Sequence, residues 1–216
     1  MSDKANRDVK IPSGKSIING NLEIPEGSEG IVVFAHGSGS SRFSPRNNYV
    51  AKLMNKSSLA TLLIDLLTSE EEAADIYSGK YRFDVDLLAE RLIDSTAWLE
   101  QNSSTKRLKV GYFGSSTGAA AALIADAKQP AGIKAIVSRG GRPDLAKENL
   151  VNVMAPTLLI VGGNDLEVLE LNRQALQIIK VTKELKIVPG ATHLFEEPGK
   201  LDEVANLAIT WFVKYL

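Results

Sequence analysis

The segment LKVGYFGSSTGAAAALIADA, residues 108–127, joins an apolar run to an alanine-rich stretch through the turn GSSTG, residues 114–118. The apolar run predicts a strand and the alanine-rich stretch a helix. A serine between two glycines at such a turn is typical of a nucleophile elbow, where the serine is strained and small neighbours let strand and helix pack closely. Ser116 is therefore the candidate nucleophile, although Gly and Ser are also common in ordinary loops.

A serine hydroxyl needs a base to take its proton and an acid to orient that base. The chain has two histidines. His193 lies in GATHLFEEPG, just past the strand-like run Leu185 to Val188, and fits the base. His36 opens the small-residue loop HGSGSS, and we interpret it as a structural residue that fixes this loop through a ring hydrogen bond.

The candidate acid is Asp165, which follows the buried strand predicted at Thr157 to Val161 and a Gly-Gly-Asn turn. One arrangement of serine hydrolases places Ser, then Asp or Glu, then His at successive strand ends, and Ser116, Asp165 and His193 follow that order. Asp165 could instead be the N-cap of the next helix, and His193 an ordinary loop histidine. The joint placement of the three favours a catalytic triad.

A rival acid is Asp144 in SRGGRPDL, which follows another strand-like run, Ile133 to Val137. The same Pro143-Asp144 pair is also typical of an ordinary turn and helix start. Asp165 is the better candidate because its Gly-Gly-Asn turn leaves the carboxylate on a short, mobile strand end.

Acyl transfer also needs hydrogen-bond donors for the oxyanion, usually the amide after the nucleophile and one from a loop after an early strand. Thr117 supplies the first, and Ser38 in HGSGSS the second, with Gly37 or Gly39 as neighbouring alternatives. A dinucleotide fingerprint on the same glycines fails because its third glycine position is Arg42, although Asp65 does end the next strand.

Strand-like and helical patterns alternate along the chain and predict an α/β fold: a mostly parallel central sheet with helices on both faces. Short alternating runs before residue 25 predict an antiparallel strand pair at the sheet edge. No boundary or repeat interrupts the sequence, which predicts a single domain over residues 1–216. The predicted helices are 45–56, 83–101, 116–127, 167–180 and 201–216; the predicted strands are 31–35, 60–65, 108–113, 133–137, 157–161 and 183–188.

Taken together, several blocks make the chain resemble the dienelactone hydrolase family of α/β-hydrolases, specifically its small serine-containing members. The resemblance implies an α/β-hydrolase fold, Ser116 as nucleophile, Asp165 as acid, His193 as base, and the amides of Ser38 and Thr117 as oxyanion hole. True dienelactone hydrolases use a cysteine nucleophile, and this chain has no cysteine, so a general carboxylic ester hydrolase is the expected activity. The blocks are HGSGSSRFSPRNNYVA, LATLLIDLLT, VGYFGSSTGAAAAL, AIVSRGGRPDL, APTLLIVGGNDL and ATHLFEEPGKL.

The segment from Val137 to Pro156 leaves room for one short helix, so we expect no large cap domain and an open site. Arg139 and Arg142 lie in this segment at a strand end, where a guanidinium could bind a substrate carboxylate. The alternative is that they bind neighbouring carboxylates such as Asp144, or backbone carbonyls. The acidic run Glu70 to Glu72 is typical of a solvated turn or of a helix start.

Composition limits the partners and the location. The net charge of −1, with mixed signs, gives no basic footprint for nucleic acid. The start MSDKANRDVK lacks the apolar core of a signal peptide, and no apolar run reaches the ~18 residues of a membrane span. Without cysteine, and with two separated histidines, a structural metal site is not expected. The expectation is a cytoplasmic enzyme without cofactor or metal, acting on a small-molecule ester; a homo-oligomer is compatible with the sequence but not specified by it.

Two function classes follow. The first is a serine carboxylesterase that works through an acyl-enzyme, with lactone, thioester or amide hydrolysis open to the same machinery. The second is a non-catalytic, hydrolase-like protein that binds a small molecule without turnover.

Overall fold

A computed structural model describes residues 7–129 and 132–216 of the chain. Strands and helices alternate along most of it, as the sequence predicts. The strands are β1 (Arg7–Ser13), β2 (Ser16–Glu23), β3 (Gly30–Ala35), β4 (Ala60–Ile64), β5 (Lys109–Ser115), β6 (Ile133–Arg139), β7 (Thr157–Gly162) and β8 (Lys183–Val188). The helices are α1 (Pro45–Lys56), α2 (Ser69–Ser78), α3 (Val85–Gln101), α4 (Thr117–Lys128), α5 (Leu166–Ile178) and α6 (Lys200–Tyr215).

All eight strands form one sheet in the order β1-β2-β4-β3-β5-β6-β7-β8. From β4 to β8 every pairing is parallel, whereas β1 and β2 form an antiparallel hairpin and β2 pairs antiparallel with β4. The predicted mostly parallel sheet with an antiparallel pair at its edge is therefore confirmed. Parallel pairing brings the carboxyl ends of β3, β5, β6 and β7 to one edge, where the loops that carry the candidate residues meet.

Apolar layers cover both faces of the sheet, which confirms the predicted helices on both sides. On one face α1 and α6 pack through residues such as Met54 and Phe212. On the other face α3 and α4 pack through residues such as Leu92 and Leu123. The central strands β3, β4 and β7 are buried along their whole length, as expected for parallel strands covered on both sides.

Two segments differ from the sequence prediction. Residues Ser69–Ser78 form a helix that was not among the predicted helices, and Glu70 to Glu72 lie in its first turn, which is the helix start that the sequence suggested as one of two alternatives. Its N-terminus is a capping box in which Thr68 and Glu71 bond each other's backbone, and it ends at the left-handed Gly79. After β6, the stretch Pro143–Asn152 is a kinked 3₁₀ segment in place of a short α-helix, and no large cap covers the sheet edge in the part of the chain that the structure describes. The other helix ends shift by one or two residues.

The first six residues of the polar start MSDKANRDVK lie outside the described residues, so the structure leaves that expectation untested. Within residues 7–129 and 132–216, no helix is both long and apolar enough to cross a membrane.

Candidate active site

Ser116 stands at the turn between β5 and α4 with φ 51° and ψ −120°. A non-glycine residue in this region is strained, and such strain is typical of a nucleophile elbow. The two flanking glycines are required by close packing. A Cβ at Gly114 would lie 2.4 Å from Cα of Ala119, and a Cβ at Gly118 would lie 2.3 Å from the carbonyl oxygen of Ala35. Strand, turn and helix therefore pack as the GSSTG motif predicts.

The backbone of Ser116 is held by the segment that follows β6. Its N–H donates to the carbonyl of Arg139 (3.3 Å), and its carbonyl accepts from the N–H of Arg142 (3.1 Å). The side chain is half-buried, and within the described residues no hydrogen bond occupies its hydroxyl. These two backbone hydrogen bonds hold the strained turn in place, and neither of them uses the side-chain hydroxyl.

His193 is oriented by Asp165. The distance from His193 Nδ1 to Asp165 Oδ2 is 2.7 Å, with the carboxylate 15% exposed and the imidazole 39% exposed. Asp165 occupies the N-cap position of α5, but within the described residues its side chain accepts no bond from the amides of that helix. The carboxylate therefore bonds the ring of His193 and not the helix amides. Because this bond uses Nδ1, it leaves Nε2 available for proton transfer.

Gly140, which sequence reasoning did not single out, connects the histidine to the elbow. A Cβ at this position would lie 3.5 Å from Nδ1 and Cε1 of His193 and 3.1 Å from its carbonyl oxygen. The residue before it, Arg139, accepts the N–H of Ser116. The end of β6 thus touches both candidate residues, and the Gly-Gly pair after a strand was the only signal of it in the sequence.

The rival acid Asp144 is engaged elsewhere. Its carboxylate takes a bidentate pair from Arg142, with Nε to Oδ1 at 2.9 Å and Nη2 to Oδ2 at 2.8 Å. This pair raises the pKa of Arg142 above its ordinary value. Of the two alternatives raised for Arg142, the structure gives the pairing with a neighbouring carboxylate.

The loop after β3 lies directly against the elbow. A Cβ at Gly37 would be 3.1 Å from Cβ of Ser116. The N–H of Ser40 donates to the carbonyl of Gly37 (3.2 Å), and Gly39 has a φ of +70°, which is the geometry of a tight turn around Ser38. Thr117 begins α4, and the first N–H groups of a helix have no carbonyl partner within it. The amides of Ser38 and Thr117 are thus on the two segments that flank Ser116.

His36 anchors this loop, as the sequence suggested. Its Nε2 accepts the N–H of Leu66 (3.0 Å), which leaves Nδ1 to donate to the carbonyl of Gly37 (2.9 Å). The side chain is buried, and burial lowers the pKa of His36 below its ordinary value. A neutral, fixed ring fits a structural role better than proton transfer.

Arg139 is an unusual buried cation. Its side chain is 7% exposed, and in residues 7–129 and 132–216 no acceptor pairs with Nε or Nη1. Burial, and then the positive charge of Arg46, lower the pKa of Arg139 to about 10. Arg46 itself donates from Nη1 to Glu196 (2.6 Å), three residues after His193. An unpaired buried guanidinium is costly unless something supplies an acceptor.

Among the described residues, no three His, Cys, Asp or Glu side chains converge as a metal site would require.

Comparison with known proteins places the chain. The sequence model of the dienelactone hydrolase family matches residues 19–211. The chain belongs to the dienelactone hydrolase family. It is similar to a dienelactone hydrolase from Anabaena variabilis ATCC 29413, whose crystal structure is 56% identical over 98% of each chain and superposes with a TM-score of 0.97.

Two curated relatives carry a different name. They are proteins from two strains of Mycobacterium tuberculosis (CDC 1551 / Oshkosh and ATCC 25618 / H37Rv), each named "Putative phosphoribosyl transferase". Each is 55% identical to this chain over 209 residues, which cover 97% of this chain and 46% of the relative. The chain thus spans less than half the length of these relatives, and their name describes the longer proteins.

A more distant structure shares the fold. Est1E from Butyrivibrio proteoclasticus superposes with a TM-score of 0.80 at 14% identity, over 96% of this chain and 98% of the other. At that identity, the likeness concerns the α/β-hydrolase fold alone.

Proposed function

We propose that this chain is a serine hydrolase of small carboxylic esters that acts through an acyl-enzyme. The observation that carries the proposal is the pairing of His193 with Asp165 at 2.7 Å, beside a serine held at positive φ on a neighbouring strand end. Membership of the dienelactone hydrolase family supports hydrolytic chemistry. The serine nucleophile and the ester substrate are our inference.

In the proposed reaction, His193 Nε2 takes the proton of Ser116 as the hydroxyl oxygen attacks the ester carbonyl. Asp165 holds the ring in the tautomer that exposes Nε2 and stabilises the imidazolium. The oxyanion accepts hydrogen bonds from the amides of Ser38 and Thr117. When the tetrahedral intermediate collapses, the C–O bond to the alcohol breaks and His193 protonates the leaving oxygen.

Deacylation runs through the same groups. His193 removes a proton from water, the hydroxide adds to the acyl-enzyme carbonyl, and the second tetrahedral intermediate expels Ser116, which regains its proton. The products are the carboxylic acid and the alcohol, with no other reactant consumed. A lactone follows the same course and gives a single hydroxy acid, so lactones belong to the same proposal.

Arg139 is our candidate for a residue that binds an anionic group of the substrate. Its guanidinium is buried and unpaired within the described residues, and the positive Arg46 beside it makes an anion the favoured neighbour. Arg142 is a weaker candidate because its guanidinium already binds Asp144.

Hydrolysis of 4-nitrophenyl acetate and of a small lactone panel tests the function. We expect turnover by the native chain and a loss on the order of 10³-fold or more in kcat for Ser116→Ala and for His193→Ala. Asp144→Asn is the control, since Asp144 binds Arg142 and should leave kcat within about twofold. If the native chain, shown by circular dichroism to be folded, binds these compounds without turnover, the non-catalytic binding protein is the better interpretation.

A further inference from the structure

We propose that a cavity between the loop after β3 and helix α2 binds an uncharged, apolar arm of the ester substrate. This inference rests on the proposed hydrolase function and specifies its substrate class. We call the space the side cavity. It has a volume of about 680 Å³, and its wall comes from the loop after β3, the segment after β4, α2 and the start of α3.

The side cavity adjoins the candidate nucleophile. Gly37 and Ser38 line it, and Gly37 is the residue whose added Cβ would lie 3.1 Å from Cβ of Ser116. Ser38 thus belongs both to the wall of the cavity and to the proposed oxyanion hole, and we infer that one arm of a substrate bound at its amide reaches the cavity. A volume of roughly 300–1,000 Å³ is typical of sites for small organic molecules.

The wall of the side cavity is largely apolar. Phe43 lines it from the loop after β3 and Ile76 from α2, and the two remain 62% and 71% exposed. Leu66, Leu67 and Leu88 form the deeper part and are buried. An apolar substrate arm would remove the exposed carbon surface of Phe43 and Ile76 from water, at about 25 cal/mol per Å².

The charges around the cavity disfavour an anionic arm. Arg82 is the cation in its lining, and it is already bound to the buried Asp75, with Nε to Oδ2 at 2.5 Å. Glu72 also lines the cavity. Burial and the neighbouring Asp65 raise the pKa of Glu72, as expected where negative charge is already unfavourable. A carboxylate placed here would meet carboxylates and a cation that is already paired, whereas a neutral chain or ring meets no such penalty.

Helix α2 offers a matched pair of positions for a test. Ala73 and Ala74 are both exposed, and Ala73 lines the side cavity whereas Ala74 lies outside the lining. Phenylalanine at position 73 would fill the cavity from the solvent side, and the same residue at 74 would add equal bulk to the same helix elsewhere. Neither position is in the core, so both variants should fold, which thermal unfolding checks.

The experiment compares kcat/KM for short and long arms on the native chain, Ala73→Phe and Ala74→Phe. The acyl arm is varied with 4-nitrophenyl acetate, hexanoate and 3-phenylpropanoate, and the alcohol arm with ethyl and 2-phenylethyl acetate. We expect the long-to-short ratio for one arm to fall at least fivefold in Ala73→Phe and to stay within twofold in Ala74→Phe. In Arg139→Met, which lacks the proposed anion-binding cation, the mono-4-nitrophenyl ester of adipic acid should be a poorer substrate than the hexanoate.

Equal ratios in the native chain and in Ala73→Phe for both arms would overturn the proposal, as would a preference of Arg139→Met for the adipate monoester over the hexanoate. A binding measurement separates this failure from failure of the hydrolase function. Calorimetry of 3-phenylpropanamide with Ser116→Ala should show binding that Ala73→Phe weakens at least fivefold, whether or not the native chain turns over esters. If the native chain hydrolyses esters but Ser116→Ala does not bind the amide, the result contradicts the proposed role of the side cavity and leaves the proposed hydrolase function intact.

Discussion

His193 and Asp165, 28 residues apart in sequence, are joined by a 2.7 Å contact from Nδ1 to Oδ2 at the adjacent ends of β8 and β7. Asp165 also sits at the N-cap of α5, a position where Asp usually bonds the helix amides. Its carboxylate turns to the imidazole instead. This choice between two available partners is the structural basis for treating the pair as catalytic.

Replacing Asp165 with Asn should disable the histidine without removing it. The amide can present its N–H to Nδ1, which favours the tautomer that lacks a free acceptor at Nε2. We expect kcat for 4-nitrophenyl acetate to fall on the order of 10²- to 10⁴-fold with the fold intact, as measured by initial rates and circular dichroism. The kcat of Asp144→Asn should stay near that of the native chain. A lower kcat in Asp144→Asn than in Asp165→Asn would instead make Asp144 the acid.

Much of the candidate site was predictable because each residue ends a strand, and parallel strands deliver their ends to one edge. That reasoning could choose Asp165 over Asp144 only as a preference, since both follow strands. The side-chain contacts distinguish them, because the carboxylate of Asp144 binds Arg142 and that of Asp165 binds His193. The role of Gly140 and the burial of Arg139 depend on loop packing, which local sequence does not specify.

Gly118→Ala should destabilise the chain. The new methyl group would lie 2.3 Å from the carbonyl oxygen of Ala35 and 2.5 Å from that of His36, and these backbone atoms cannot move aside as a flexible side chain could. We expect the free energy of unfolding in urea to fall by about 1–3 kcal/mol, as for other overpacked sites. Gly132→Ala is the control, because its nearest neighbour would be 3.9 Å away. Similar small changes in both variants would show that strand and helix can separate at the elbow.

The buried ring of His36 predicts a pH dependence of stability. Burial is the largest cause of its lowered pKa, with the bond to Gly37 and the negative Asp65 acting in the opposite direction. Between the ordinary histidine value of about 6.5 and the lower folded value, the unfolded chain binds more protons. The stability that the neutral ring of His36 contributes is therefore fully present above pH 6.5 and is lost as the pH falls toward the pKa of His36 in the folded protein.

Urea unfolding between pH 7.5 and 5.5 measures this effect. The native chain should lose more stability over the range than His36→Gln, with a difference in slope of at most about 1.4 kcal/mol per pH unit. The two proteins differ in titratable groups only at residue 36, so the difference between the two curves reports on His36. Parallel curves would contradict the assignment of His36 as a neutral anchor of the loop.

Arg139→Met should make the protein more stable. The substitution removes a charge that is buried without a partner in the described residues, and methionine fills a similar space. We expect a gain of about 1–3 kcal/mol in the free energy of unfolding, in line with apolar replacement of other buried charges. Arg142→Met breaks a partly exposed pair and should change stability by less than about 1 kcal/mol. A loss of stability in Arg139→Met would reveal an acceptor inside the folded protein.

The fold itself follows closely from hydrophobic periodicity, because long buried strands and amphipathic helices give strong signals. Helix α2 was the exception. Asp75 is its one buried residue, so the helix has no apolar stripe to indicate its period. Thr68 and Glu71 did carry the capping-box spacing, three residues apart, and Gly79 the C-terminal signal. The side cavity that this helix helps to form was correspondingly invisible in the sequence.

The most direct test of the central claim is the intact mass of the chain after treatment with a small fluorophosphonate. We expect one adduct on the native protein and none on Ser116→Ala, because Ser116 is the serine that we propose His193 activates. A peptide map should place the adduct at residue 116. A folded native chain that gains no adduct, or an adduct that persists in Ser116→Ala, would contradict the claim that Ser116 is the nucleophile.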